Sequence, residues 1–316
     1  MDLSVFLPLA ALALDAALGD PHGWPHPVRW IGRLLDALER PAQLLPVDSL
    51  RYVYGAFCAF LLPLGAYTAA WFLVRLPGVG AVASLYLAYA GLALGQLVRE
   101  ARAVAALIDA GDLAGARVAL GMLVSRDTSR LDEAGLWRTL AETVSENFCD
   151  AFAAPAFYLA LGGAPLLWLY KTVSTMDSMW GYTTQRFKAL GWGGAKADDV
   201  LAWLPARLSA LALIAAGAVL GLPSGAAWRN TATDARRMSS PNAGWPMAAA
   251  AWLCGASMGG EAVYFGKRVD KPLLGPAGRA WGAEQCKTLM RLVYTAAIVL
   301  IIALILLLMA FAFAFS

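Results

Sequence analysis

Charge is the first thing this sequence lacks. Asp, Glu, Lys and Arg make up 15% of its 316 residues, against about 25% in an ordinary soluble domain. Hydrophobic residues reach 59% and the mean hydropathy is +0.59. So much apolar surface does not fit inside one soluble globule, which excludes that class and disorder alike. Cysteine is sparse. Cys58, Cys149, Cys254 and Cys286 lie far apart with no CxxC pair. That argues against a zinc site or a disulfide framework and for four inert, apolar thiols. Histidine is rarer still, and His22 and His26 lack a third metal partner nearby. A net charge of +3 is too small to imply nucleic acid as a partner. No Walker A pattern occurs, so any nucleotide is bound without a P-loop.

The chain has long uncharged runs instead. A span needs about 20 mostly apolar residues. Val53–Val74, Val79–Val98 and Val293–Phe315 carry no charge, and Val200–Leu222 carries only Arg207. Phe148–Tyr170 is apolar apart from Asp150, but Gly162-Gly163-Ala164-Pro165 breaks it. Residues 3–18 are apolar, with no Lys or Arg before Arg29, and read as a retained membrane helix rather than a signal peptide. Residues 245–258 are too short for a straight span. The expected fold is all-α, a polytopic integral membrane protein forming one domain over 1–316. It should have roughly five to seven spanning or re-entrant helices and a helical cytoplasmic face. Strand signals are nearly absent. Around Gly111-Asp112, helical spacing over 101–108 and 113–123 predicts a helical hairpin.

Basic residues between the runs predict the sidedness. Segments 19–52, 99–147, 171–199, 223–244 and 259–292 hold four, six, four, three and six Lys plus Arg, and none follows Arg291. The positive-inside rule places these polar segments in the cytoplasm, the 75–78 link and the C-terminus outside, and the chain in the inner membrane. Segments 99–147 and 171–199 then share a side although Phe148–Tyr170 lies between them. A re-entrant hairpin at the Gly-Gly-Ala-Pro break resolves the conflict.

The polar residues gather in five islands. Gly19–Arg29 is rich in proline and glycine, which predicts a rigid, non-helical backbone holding Asp20, His26 and Arg29 for a ligand; the alternative is a structural turn. Ser125, Arg126, Asp127, Thr128 and Ser129 form an oxyanion-binding set, with Ser129 as the N-cap of a following helix. Glu142, Glu146 and Asp150 fall at i, i+4 and i+8 on one helix face, entering the apolar run beside Asn147, as Mg²⁺ or substrate ligands. The fourth island offers Lys171, Asp177 and Ser178, then Asp198 and Asp199 as further metal or phosphate contacts. Arg207 sits inside the span and needs an anion, either phosphate or a structural partner among Asp150, Asp198 and Asp199. Arg236 and Arg237 precede a turn with Ser240 and Asn242, again an anion-binding pattern. Acids and arginines gathered on one membrane face imply phosphate chemistry with a divalent cation.

These islands also carry a resemblance. Gly-Asp-Pro with Pro-His-Pro-Val near the N-terminus comes first, then Ser-Arg-Asp-Thr-Ser from Ser125 and Glu-Thr-Val-Ser-Glu-Asn from Glu142. Thr-Met-Asp-Ser-Met-Trp-Gly-Tyr follows from Thr175, Asp-Asp-Val-Leu-Ala-Trp-Leu-Pro-Ala-Arg from Asp198 and Ser-Pro-Asn-Ala-Gly-Trp-Pro from Ser240. In that order they resemble the CobD/CbiB family, the adenosylcobinamide-phosphate synthases of cobalamin biosynthesis. The sequence departs from the family pattern at Ser174, where Asn is expected, and in the second serine of Ser239-Ser240-Pro241. The resemblance implies an ATP-dependent ligase joining the free propionate carboxylate of a corrinoid, adenosylcobyric acid, to (R)-1-aminopropan-2-ol or its O-phosphate. It implies Mg²⁺ as cofactor and other late cobalamin-pathway membrane enzymes as partners. Within that scheme Glu142, Glu146 and Asp177 are the expected catalytic residues. The other named polar residues bind phosphate or substrate, and Glu142, Glu146, Asp150, Asp198 and Asp199 hold the metal. Two rivals share the composition. One is a Mg²⁺-dependent prenyl- or phospho-alcohol transferase, which would need a second aspartate motif. The other is a non-enzymatic membrane sensor or transporter, which needs no paired acid and arginine clusters.

Overall fold

The computed structural model describes residues 6–21 and 23–314. His22 and the C-terminal residue, on which expectations were placed, lie outside them. In chain order the elements are α1 (Leu7–Leu18), α2 (Pro27–Gln43), α3 (Asp48–Leu73), α4 (Gly80–Gly91), α5 (Leu94–Asp109), α6 (Leu113–Gly121) and α7 (Glu133–Phe148). A π-helical turn over Cys149–Ala153 leads into α8 (Ala154–Trp180), α9 (Trp192–Leu201), α10 (Trp203–Val219), α11 (Ser224–Ala235) and α12 (Gly244–Cys254). The hairpin β1 (Met258–Tyr264) and β2 (Lys267–Leu274) precedes α13 (Ala283–Ala314). The all-α membrane class holds. Among the described residues four helical stretches are long and apolar enough to cross a bilayer: 48–73, 80–109, 133–180 and 283–310. A fifth is the pair α9–α10, bent by 46° at Ala202. The expected helical hairpin at Gly111-Asp112 is present as α5–α6.

One antiparallel β-hairpin is present among the helices, in a sequence where strand signals are nearly absent. Its strands carry Gly, Lys and Pro and show no alternating apolar pattern; tertiary hydrogen bonds support them.

The chain divides into two compact units, 1–93 with 154–202 and 304–316, and 94–153 with 203–303. In the first, Leu35 and Ala42 of α2, Cys58 of α3, Met176 and Trp180 of α8 and Leu190 form a buried core. Here α8 is not continuous. Gly162 and Gly163 have non-helical torsions, with φ of +68° at Gly163. The rings of Tyr158 and Tyr170 stack with centroids 5.1 Å apart. Twelve residues of straight helix would separate them by about 18 Å. The chain therefore doubles back at the glycine pair, as the sequence conflict required. In the second unit, α5 buries Leu94, Val98, Ala101, Val104 and Ile108 at helical spacing, and α7 buries Leu136, Leu140 and Val144.

One contact in the first unit tolerates no side chain. A Cβ on Gly55 of α3 would lie 2.0 Å from the carbonyl oxygen of Leu190, which is rigid backbone. Gly65, on the same helix, has open space. Gly55→Ala should therefore force α3 off the 190s segment, destabilising the protein by about 1–3 kcal/mol, while Gly65→Ala leaves it unchanged. Thermal melts of the two purified variants check this; equal melting temperatures would contradict the packing.

Candidate functional site

In the second unit the polar islands converge on one buried ion pair. Arg126 and Glu142 are 5% and 4% exposed. The Arg126 Nη2 donates to Glu142 Oε2 at 2.5 Å, and Nη1 donates to the Thr139 hydroxyl at 2.7 Å. The other carboxylate oxygen, Oε1, accepts the Gly259 N–H at 2.7 Å. That N–H is available because β1 is irregular between Met258 and Gly260. Gly259 has φ +94°, and a Cβ there would stand 2.1 Å from the Pro272 carbonyl oxygen, so only glycine fits the bulge. Backbone pairing continues onto the 125–129 loop, where the Asp127 N–H donates to Val263 O at 2.9 Å and Arg126 bridges Tyr264. The Tyr264 ring lies 5.7 Å from the Arg126 guanidinium. Burial works against the Arg126 charge, but Glu142 and then Tyr264 outweigh it and hold its pKa above the usual arginine value.

This arrangement departs from the sequence reading. Arg126 was expected on phosphate and Glu142 on metal; the structure turns them onto each other. Ser129 is not the N-cap. Asp132 is, accepting the Gly135 N–H at 2.8 Å, and α7 begins at Glu133. Thr128 faces inward and donates to Arg117 O at 2.8 Å. Ser125, Asp127 and Ser129 stay exposed. The Asp127 carboxylate accepts from Ser129, whose hydrogen bonds hold its pKa low. Asn147 donates back to Thr143 within α7. Glu146 is half-buried on α7, and Asp150 is half-buried in the π-helical turn rather than on a continuous α-helical face.

Among the described residues Arg207 forms no ion pair with Asp150, Asp198 or Asp199. Its guanidinium lies between the Trp203 and Trp245 rings, 4.1 and 4.6 Å from their centroids. It donates to Trp203 O at 2.6 Å, Asn242 Oδ1 at 3.2 Å and Pro241 O at 3.4 Å. Ser240 Oγ accepts the N–H groups of Asn242 and Ala243, shaping the turn before α12. Arg237 reaches Leu273 O at 3.2 Å and Asp234 at 3.5 Å. Asp234 was not singled out from sequence. It accepts the Trp252 indole N–H at 2.8 Å and the Gly275 N–H at 2.9 Å, tying α11, α12 and the end of β2 together. Nothing in one sequence distinguishes it from a surface acid.

In the first unit a second constellation forms. Asp20 accepts from Arg29 at 3.0 Å, and the His26 imidazole lies 4.0 Å from the same carboxylate. The island is not wholly irregular, because Pro27, Val28 and Arg29 open α2, with Pro27 at the N-terminal position where its missing N–H costs nothing. Two tyrosines of α4 fix its backbone: Tyr86 donates to Pro25 O, and Tyr89 donates to Gly19 O at 2.5 Å. The sequence reading missed both, though phenols within an apolar helix needed partners. Burial depresses the His26 pKa, Asp20 opposes this, and Arg29 and Lys171 add to it, so Lys171 belongs to the same cluster. Further along, Asp177 of α8 and Asp199 of α9 act on each other electrostatically, and Lys196 donates to Asp199 at 2.9 Å. Asp198 acts in the same way on Tyr158, and Ser178 is exposed beside Asp177. Among the described residues no three His, Cys, Asp or Glu side chains gather as a metal cage. The acids expected to share a metal are divided, Glu142, Glu146 and Asp150 in one unit and Asp177, Asp198 and Asp199 in the other. The cysteines are free, and burial pushes the Cys254 thiol up to about 12.

Comparison with known proteins defines the class. The family described as CobD/Cbib protein matches residues 8–293. This chain belongs to that family. It is 40% identical over 294 residues to the cobalamin biosynthesis protein CobD of Klebsiella pneumoniae, covering 91% of this chain and 92% of that protein. It is 40% identical over 300 residues to the cobalamin biosynthesis protein CobD of Geobacter metallireducens, covering 93% of each. Against the cobalamin biosynthesis protein CbiB of Salmonella typhi it is 39% identical over 302 residues, covering 93% and 95%. No solved structure matches the chain.

Two predictions follow from these geometries. Removing one member of a buried ion pair costs about 3–5 kcal/mol, because the other charge is left uncompensated. Glu142→Gln should therefore lower the melting temperature sharply. The double variant Arg126→Met, Glu142→Leu should recover most of the loss, since an apolar pair has no charge to strand. A Glu142→Gln protein that melts with the wild type would leave the carboxylate free for another role. For His26, the unfolded chain binds a proton that the folded chain resists. Stability should be full above about pH 6.5, the ordinary histidine value, and fall as pH drops below it. His26→Gln should flatten that slope in a pH series of melts.

Proposed function

We propose that this membrane protein acts in cobalamin biosynthesis as an ATP-dependent amide ligase. Its substrates would be the free propionate carboxylate of adenosylcobyric acid and (R)-1-aminopropan-2-ol or its O-phosphate. The observation that carries the reading is that one unit holds both two cations, Arg29 and Lys171, around a neutral His26 and two interacting carboxylates, Asp177 and Asp199. Amide formation from a carboxylate needs both. The carboxylate repels an amine and has no leaving group. Transfer of the ATP γ-phosphoryl would give an acyl phosphate, and amine attack would then expel phosphate and form the C–N bond.

The residues fit that chemistry. Mg²⁺ is commonly held by one or two carboxylates together with nucleotide phosphates, so the Asp177–Asp199 pair is a sufficient donor set without a third acid. When bound there, Mg²⁺ would offset charge on the transferring phosphoryl group. Arg29 and Lys171 offer donors to phosphate or to the propionate. Asp20 orients Arg29 through the 3.0 Å hydrogen bond. His26, held neutral by burial, can accept the proton released by the attacking ammonium.

The test is direct. Purified protein with adenosylcobyric acid, the amino alcohol or its phosphate, and Mg-ATP should yield the amide, detected by mass, with stoichiometric ATP cleavage. Asp177→Asn should reduce turnover by at least about 100-fold and raise the Mg²⁺ concentration needed for half-maximal rate. Folded, membrane-inserted protein that gives no amide with either amine would sink the ligase reading. Normal Mg²⁺ dependence in Asp177→Asn would remove the carboxylate pair from it.

A further inference from the structure

One site in the second unit carries positive charge with nothing to balance it. Arg207 donates to Pro241 O and to the Asn242 amide oxygen, in the turn that follows Arg236 at the end of α11. Among the described residues neither guanidinium reaches a carboxylate. The nearest acid in sequence, Asp234, is already committed to Trp252, Gly275 and Arg237. Two guanidinium groups held at one turn beside an apolar helix offer a set of charge-assisted donors to an anion. The neutral partners of Arg207 are two indole faces and two carbonyls besides the Asn242 amide oxygen, which orient the guanidinium without neutralising it.

The surroundings indicate which anion. Trp203 and Trp228 are exposed, and aromatic side chains of this kind concentrate where a bilayer meets water. Leu204 and Leu211 are exposed on α10, three residues before and four after Arg207, so they share its helix face. The face reads apolar, cationic, apolar, capped by indoles. That sequence of chemistries matches a phospholipid, with its phosphate on the arginines and an acyl chain along Leu211. A soluble phosphate ester uses the arginines but has no use for the exposed leucines. We propose that Arg207 and Arg236 form a binding site for the phosphate of an anionic phospholipid, held at the interfacial end of α10. The proposal is independent of the ligase reading, which places its phosphates in the other unit.

Native mass spectrometry of the full-length protein, released from detergent with defined lipid, tests it. The probes are phosphatidylglycerol, diacylglycerol as the same lipid without phosphate, and glycerol phosphate as the same headgroup without chains. The wild type should retain phosphatidylglycerol in preference to diacylglycerol. Arg236→Ala should weaken that retention about 10-fold or more, the usual loss for a charge-assisted hydrogen bond. Arg236 is exposed, so its removal leaves the fold intact, and a melting curve verifies that. Arg207→Lys adds a second reading, keeping the charge but losing the planar stack between the indoles. Equal retention of phosphatidylglycerol by the wild type and both variants overturns the site. Displacement of the lipid by glycerol phosphate at comparable concentration keeps the oxyanion site and overturns its assignment to lipid.

Discussion

The second unit is organised around a salt bridge that water does not reach. A carboxylate and a guanidinium in such surroundings are stabilised by filling their remaining hydrogen-bonding positions. Glu142 has two oxygens and the structure fills both, one with Arg126 and one with the Gly259 N–H. Arg126 uses a second nitrogen on Thr139, and among the described residues its buried Nε has no partner. Three pieces of chain that are remote in sequence, the 125–129 loop, α7 and the start of β1, are thereby required to meet at one point. The β-hairpin is a consequence. Met258–Leu274 has little intrinsic strand character, and an isolated two-stranded hairpin is marginal at best in water. Docking Gly259 onto Glu142 and pairing Val263 with the loop supply what the local sequence does not.

The same constraint accounts for the composition of the motifs. A Ser-Arg-Asp-Thr-Ser run reads as a phosphate cradle when its side chains are assumed to point the same way. Pairing with β1 alternates them instead, so Arg126 and Thr128 turn inward while Ser125, Asp127 and Ser129 turn outward. The motif thus combines two functions, an internal fastening and an external polar surface. The Glu142–Asp150 run divides in a similar way: Glu142 is consumed by the ion pair, and the π-helical turn interrupts the α-helical face before Asp150.

What was legible in the sequence follows from the range of the interactions. The apolar runs set the membrane helices, because bilayer thickness is a one-dimensional constraint. The charge conflict around Phe148–Tyr170 even located the reversal at Gly162-Gly163, since an even number of crossings was needed to keep both flanks on one side. The partners of charged groups were not legible. By charge alone Arg207 matches a phosphate or a distant acid, whereas the structure surrounds it with aromatic faces and carbonyls. Asp234, Tyr86 and Tyr89 were missed for the same reason. Each makes its bonds to backbone or indole groups far along the chain, and backbone groups carry no sequence signature.

Burial also separates roles that residue type cannot. Acids and bases needed for transfer chemistry must be reachable by substrate, while those that hold the fold must not be. By that criterion Arg126 and Glu142 belong to the framework. Asp177, Asp199, Arg29 and Lys171, all half-buried, stay accessible from at least one side. His26 lies between these cases. Among the described residues its buried Nδ1 has no hydrogen-bond partner, while Nε2 faces the Asp20 carboxylate. A protonated imidazole would carry a second N–H into that partnerless position and add a charge beside Arg29 and Lys171. Both effects favour the neutral ring and weaken it as a base, and the Asp20 carboxylate beside Nε2 is the neighbour that would offset a proton taken up there.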